Sequence, residues 1–93
     1  MLKITNNKID GGATLTLEGK LAGAWVDELR RCWRRLALIG DAKPVSVDLS
    51  GVTWVSDEGK ALLRVMRRGG AELLAANMLV AGIVAEINAE TME

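Results

Sequence analysis

The run Ser56-Asp57-Glu58-Gly59-Lys60 places a hydroxyl, two carboxylates and an ammonium group next to one another. Ser is a favoured residue before the first turn of a helix, where its oxygen accepts a free backbone N–H. Acids in that first turn meet the positive end of the helix dipole. Adjacent residues on a helix point about 100° apart, so Asp57 and Glu58 cannot share one reacting group as an acid–base pair. Asp48 and Ser50 lie upstream and form a good turn pair. Asp48 is expected to end a strand, at the sheet edge where α/β folds tend to place sites.

The missing residue types limit the chemistry. The chain has no His and a single Cys, Cys32. No Ser-His-Asp or Cys-His nucleophilic site can be assembled within it, and a usual structural zinc site is excluded. No Gly-rich phosphate loop is visible. The expectation is therefore no catalytic residue, no metal and no cofactor. Cys32 falls among apolar helix positions and reads as a buried, inert thiol. It has no partner for an internal disulfide, which fits a reducing, cytoplasmic setting.

Length and charge point the same way. Ninety-three residues fit one domain, spanning 1–93. A chain of this size buries roughly two thirds of its unfolded surface. Apolar residues make up 49% of it, which suits a globular protein. Lys plus Arg and Asp plus Glu are 12 each. No global field attracts nucleic acid or an anionic membrane. Three Trp residues are the only aromatics, too few for a base-stacking platform. No apolar stretch approaches the ~20 residues needed to cross a bilayer, so membrane insertion is not expected.

The elements that must position these residues follow from periodicity. Leu2 to Thr5 reads as a strand closed by Asn6 and Asn7, with a turn at Gly11-Gly12. Ala13 to Glu18 alternates Leu15 and Leu17 with threonines, the pattern of a half-buried strand. From about Gly23 to Leu38 a helix gathers Trp25, Val26, Leu29, Cys32, Trp33, Leu36 and Ala37 on one side. Asp27 is spaced to pair with Arg31. After a loop at 40–44, Val45 to Leu49 is the strongest strand, and Ser50 to Val55 reads as a connecting loop. A second helix runs from Asp57 to Gly69-Gly70, with Ala61, Leu62, Val65 and Met66 inward. Glu72 to Ala76 makes a fourth strand. Asn77 caps a last helix that turns Leu79, Val80, Ile83, Val84 and Ile87 inward and Glu86 and Glu90 outward. The fold class is α/β: a small mixed sheet in the order β-β-α-β-α-β-α, covered by helices.

Two basic stripes stand out. Arg30, Arg31, Arg34 and Arg35 lie on the first helix, and Lys60, Arg64, Arg67 and Arg68 on the second. They are either solvated faces balanced by acids elsewhere or a merged docking surface for an acidic protein, with Arg64 and Arg68 as its test positions. Trp54 is either an interface anchor or a core residue tucked under the second helix, and core is the expectation. Trp25 and Trp33 are expected in the core.

The segment Asp48-Leu49-Ser50-Gly51-Val52-Thr53-Trp54-Val55-Ser56-Asp57-Glu58-Gly59 resembles the signature of the STAS domain, the module of anti-sigma factor antagonists and of sulfate transporter tails. That signature is a strand ending in Asp-Leu-Ser, an apolar loop, then Asp-Ser-Ser-Gly or Asp-Ser-Ala-Gly opening a helix. Glu18-Gly19-Lys20-Leu21 is similar to the family's Gly-x-Leu after the second strand, and Gly69 to Ala75 to its Gly-rich turn. The resemblance implies a non-enzymatic, cytoplasmic bacterial signalling module in transcription regulation. Its partner would be an anti-sigma factor kinase that phosphorylates the residue after the motif Asp. Aligned without gaps, Ser56 stands at that Asp and Asp57 at the phosphoacceptor. The chain then carries a carboxylate where the family carries a hydroxyl.

The run thus admits two roles. It starts a helix, or Asp57 and Glu58 imitate a phosphate, which adds about −1.5 to −2 charge. Ser56 as an acceptor shifted by one position is the least favoured alternative, because an N-cap oxygen is already engaged. Asp48, Ser50 and Trp54 would flank the switch loop formed by Ser56 to Lys60. Family members usually continue with a fifth strand and a fourth helix; their lack leaves an edge that invites a homodimer. Other readings are a subunit bound to the ATPase of a membrane transport complex and, from another class, a nucleotide binder or enzyme.

Overall fold

The computed structural model describes residues 2–9, 12–38, 45–74 and 78–91. The elements are β1 (Leu2–Ile9), β2 (Gly12–Leu21), α1 (Ala24–Leu38), β3 (Val45–Val55), α2 (Asp57–Arg68), β4 (Glu72–Leu74) and α3 (Met78–Thr91). The turn position Gly11, the 40–44 loop, residues 75–76 and the Asn77 cap fall outside the described residues, as do the side chains of Ala37 and Leu79.

The strands form one mixed sheet in the spatial order β1-β2-β3-β4. β1 and β2 are antiparallel, from Leu2 opposite Gly19 to Ile9 opposite Gly12. Asn6 and Asn7 therefore stay within β1 rather than ending it, because ladder pairing with β2 overrides their turn preference. β2–β3 and β3–β4 are parallel, joined by α1 and α2. Parallel neighbours need such crossovers.

One sheet face is apolar and the other polar. Leu15, Leu17 and Leu21 of β2 are buried, and Thr14, Thr16, Glu18 and Lys20 point the other way. Val47, Leu49, Val52 and Val55 supply the apolar face of β3. Helices cover that face alone. Val26 and Leu29 of α1, Leu62, Leu63 and Met66 of α2, and Val80, Val84 and Ile87 of α3 join the strand residues in a single buried cluster. No charged or polar residue is buried among the described residues.

The segment expected as a loop, Ser50 to Val55, is the second half of β3. Its pairing with β2 slips twice, between Thr16 and Glu18 and between Gly19 and Lys20. Each slip adds one residue to β3, a bulge. Inward residues consequently fall three apart, Leu49 to Val52 to Val55, and the period-two signal vanishes. Gly51 sits at the first bulge. A Cβ there would lie 2.8 Å from Glu18 Cγ and 3.1 Å from the Leu17 carbonyl oxygen, so no larger residue fits without a shift.

Two further expectations change. The inward stripe of α2 is Leu62, Leu63 and Met66, with Ala61 and Val65 exposed. Trp25 is 37% exposed rather than core. It lines an open cleft of about 360 Å³ with Leu2, Ile4 and the half-buried Cys32, beside the edge strand β1. Trp33, also expected in the core, is only partly buried and packs against the core from its surface.

Candidate functional site

The chain leaves β3 at Val55 and enters α2 at Asp57, with Ser56 between them as the N-cap. Ser56 has extended backbone angles, φ −74° and ψ 169°. Its Oγ accepts the Gly59 backbone N–H at 3.1 Å, and its carbonyl accepts the Lys60 N–H at 2.9 Å. The Ser56 N–H donates in turn to the Leu21 carbonyl oxygen at 2.9 Å. Helix initiation, read from Ser-Asp-Glu-Gly in sequence, is what the geometry shows.

Gly59 is buried against the end of β2. A Cβ at this position would stand 2.9 Å from the Leu21 carbonyl oxygen, 3.0 Å from Leu21 Cγ and 3.1 Å from Val55 Cγ1. The glycine lets the first turn of α2 press directly on the sheet end. Asp57 and Glu58 project from that turn into solvent, at the positive pole of the helix. Lys60 is half-buried.

Trp54 is 54% exposed, which overturns the core expectation. Lys20 is its Cα partner across the β2–β3 ladder, and paired residues share a sheet face. The bulges put Val55 inward and Trp54 on the open polar face. Thr53 Oγ1 donates to the Gly19 carbonyl at 3.3 Å, tying the two strand ends together. One end of the sheet thus presents an indole, an ammonium group, a capped hydroxyl and two carboxylates. Lys20 was missed in the sequence. Carrying β3 through to Val55 would have placed it beside Trp54.

Asp48 and Ser50 belong elsewhere. Asp48 lies in the first half of β3, opposite Thr16, and does not end the strand. Ser56 lies eight residues on, two of them taken up by the bulges, roughly 20 Å away at ~3.3 Å per strand residue. The Ser50 N–H donates to Asp48 Oδ1 at 3.0 Å. That bond, reinforced by the Ser50 hydroxyl, holds the Asp48 carboxyl below the usual carboxylate range, with desolvation opposing weakly.

The basic stripe of α2 also divides. Arg64 Nε donates to Glu90 Oε2 at 2.8 Å and Arg67 Nε to Asn88 Oδ1 at 3.0 Å, so both clasp α3. Arg68 remains exposed. On α1, Arg30 pairs with Asp27 at 2.6 Å and Arg31 with Glu28 at 3.4 Å. Asp27 thus pairs three residues on, with Arg30, rather than four on with Arg31. Among the described residues no group of His, Cys, Asp and Glu could hold a metal ion, and no helix is long and apolar enough to cross a membrane.

No protein-family model and no curated protein matches the sequence. Solved structures do match in shape. An anti-sigma factor antagonist from Mycobacterium paratuberculosis superposes with a TM-score of 0.80 at 14% identity, over 99% of this chain and 82% of that one. An antisigma-factor antagonist STAS domain from Rhodobacter sphaeroides superposes with a TM-score of 0.58 at 21% identity, over 99% of this chain and 96% of that one. The four-stranded mixed sheet with α1, α2 and α3 on one face is therefore the fold of the STAS domains of anti-sigma factor antagonists.

Proposed function

We propose that this chain is a non-enzymatic regulatory module of the anti-sigma factor antagonist type, which docks a protein partner through the surface at the start of α2. The observation that carries the reading is the exposed indole of Trp54 beside the capped turn bearing Asp57 and Glu58, on a fold shared with anti-sigma factor antagonists. Exposed aromatics with a charged surround are the usual anchors of protein interfaces.

The partner in this reading is an anti-sigma factor. Asp57 stands where the resemblance puts the phosphoacceptor, so the negative charge at the head of α2 is permanent. The binding state is then set by the sequence rather than by a kinase.

The test is binding to the cognate anti-sigma factor, with and without ATP, for the native chain and for Asp57→Ser. The native chain is expected to bind equally well in both conditions and to take up no phosphate. Asp57→Ser is expected to acquire phosphate and to change affinity only when ATP is present. Phosphate found on Ser56 of the native chain, or no binding of either chain to an anti-sigma factor, overturns the reading.

A further inference from the structure

A second surface lies between α1 and α2, running from Ala61, one turn into α2, toward the C-terminal end of that helix. Arg30, Trp33, Arg34, Ala61, Leu62 and Val65 line an open groove of about 320 Å³. Its floor is apolar. Val65 is 57% exposed there, and Trp33 is partly buried against the core. Gly69 makes room for the indole at the C-terminal end of α2, since a Cβ at that position would lie 2.8 Å from Trp33 Cζ2.

Its rim is cationic along α1 and toward the C-terminal end of α2, whereas Asp57 stands one turn before Ala61 at the other end. Arg30 is held by Asp27, but neither Arg34 nor Arg68 forms an ion pair among the described residues. Arg68 lies three residues beyond Val65 and so shares the helix face that carries Ala61 and Val65. The groove therefore offers apolar contact along its length and unpaired guanidinium groups at its margins.

We propose that this groove docks an acidic amphipathic helix of a protein partner. Apolar side chains at helical spacing fill the floor over Trp33 and Val65, and flanking carboxylates meet Arg34 and Arg68. Among the described residues a second copy would offer α3, whose exposed face is small beyond Met78 at its start, with Ala81, Gly82, Ala85 and Ala89 flanked by Glu86, while Glu90 is engaged by Arg64. That face fills the groove less well than a helix with large apolar side chains and carboxylates on both flanks. The proposal does not depend on the head of α2.

The test is an NMR titration of the ¹⁵N-labelled chain with a synthetic helical peptide of about 18 residues, five turns long, with leucines on one face and glutamates on its flanks. A peptide with lysine in place of glutamate serves as the control. Saturable shifts are expected at the Trp33 indole N–H and at the amides of Arg34, Val65 and Arg68, with Gly59 unmoved. The variant R34E/R68E is expected to bind the glutamate peptide at least about tenfold more weakly and the lysine peptide more tightly. Both arginines are exposed, and circular dichroism checks that the variant is folded. Equal binding of both peptides, unchanged affinity of R34E/R68E, shifts centred on Ser56 to Gly59, or self-association of the chain through this groove overturns the proposal. Failure here leaves the anti-sigma factor test unaffected, because that test varies Asp57 and reads phosphate uptake, whereas this one varies Arg34 and Arg68.

Discussion

The backbone N–H of Ser56 donates to the carbonyl oxygen of Leu21 at 2.9 Å, so the residue that caps α2 is also anchored to the last residue of β2. The cap therefore serves two elements. Ser56→Ala removes the Oγ that accepts the Gly59 N–H and should lower stability by about 1 kcal/mol. Ser56→Asp, which restores an acceptor, should recover most of that. Urea denaturation monitored by circular dichroism measures both.

Two glycines should respond to alanine in opposite directions. At Gly59 the new Cβ would meet the Leu21 carbonyl oxygen at 2.9 Å, which is backbone and cannot swing aside. Gly59→Ala should destabilise by about 1–3 kcal/mol, outweighing any gain in helix propensity. At Gly82, in α3, nothing lies within 4 Å of the new Cβ. Gly82→Ala should stabilise by up to about 1 kcal/mol. Paired thermal melts of the two variants test the contrast.

Trp54 and partner binding can be separated from stability. Its indole is 54% exposed, so Trp54→Ala should cost less than about 1.5 kcal/mol of folding free energy. As an interface anchor it should cost 2 kcal/mol or more of binding, about thirtyfold in Kd. Calorimetric titration with the anti-sigma factor, set beside a melt, distinguishes the two effects.

Arg64 and Glu90 connect α2 to α3 across the surface at 2.8 Å, with side chains 34% and 41% exposed. Pairs of this kind are weak. Glu90→Gln should lower stability by about 0.2–1 kcal/mol, and the loss should shrink in high salt. Denaturation at low and high ionic strength reads the difference.

Asp48 gives the chain one defined contribution to pH dependence. The Ser50 N–H and hydroxyl depress its pKa in the folded state. A depressed carboxyl contributes stability that is present above its unfolded pKa and is lost as pH falls through the folded one. Asp48→Ala should cost about 0.5–1 kcal/mol at neutral pH. The gap between variant and native chain should close in strong acid. Urea midpoints across that range measure it.

Much of the fold was readable in the chain because each early element carries a local signal. Leu15 and Leu17 alternate with threonines, Val26 to Leu36 repeat at helical spacing, and Ser56 precedes two acids. What escaped depends on partners distant in sequence. The two bulges in β3 arise from pairing with β2, and without them Trp54 looked like a loop residue folded inward. Trp25 reads as buried because its only local signal is its place on the apolar helix face, yet it sits beside an edge strand that leaves its cleft open. Arg64 looked like part of a free basic stripe because only the docking of α3 brings Glu90 to it. The cap at Ser56 was legible and Lys20 beside Trp54 was not, for the same reason.

The parallel pairing of β2 with β3 also bears on how the chain reaches this state. The β1–β2 hairpin closes through residues near one another in sequence and can form early. The central ladder cannot, because Ala13 and Val45 are 32 residues apart in sequence and pair only once α1 has been laid across the sheet. Loop-closure entropy must be met before those contacts form. The expected slow step of folding is then the seating of α1 through Val26 and Leu29. A substitution there should slow refolding, whereas one at the Arg64–Glu90 clasp should mainly hasten unfolding.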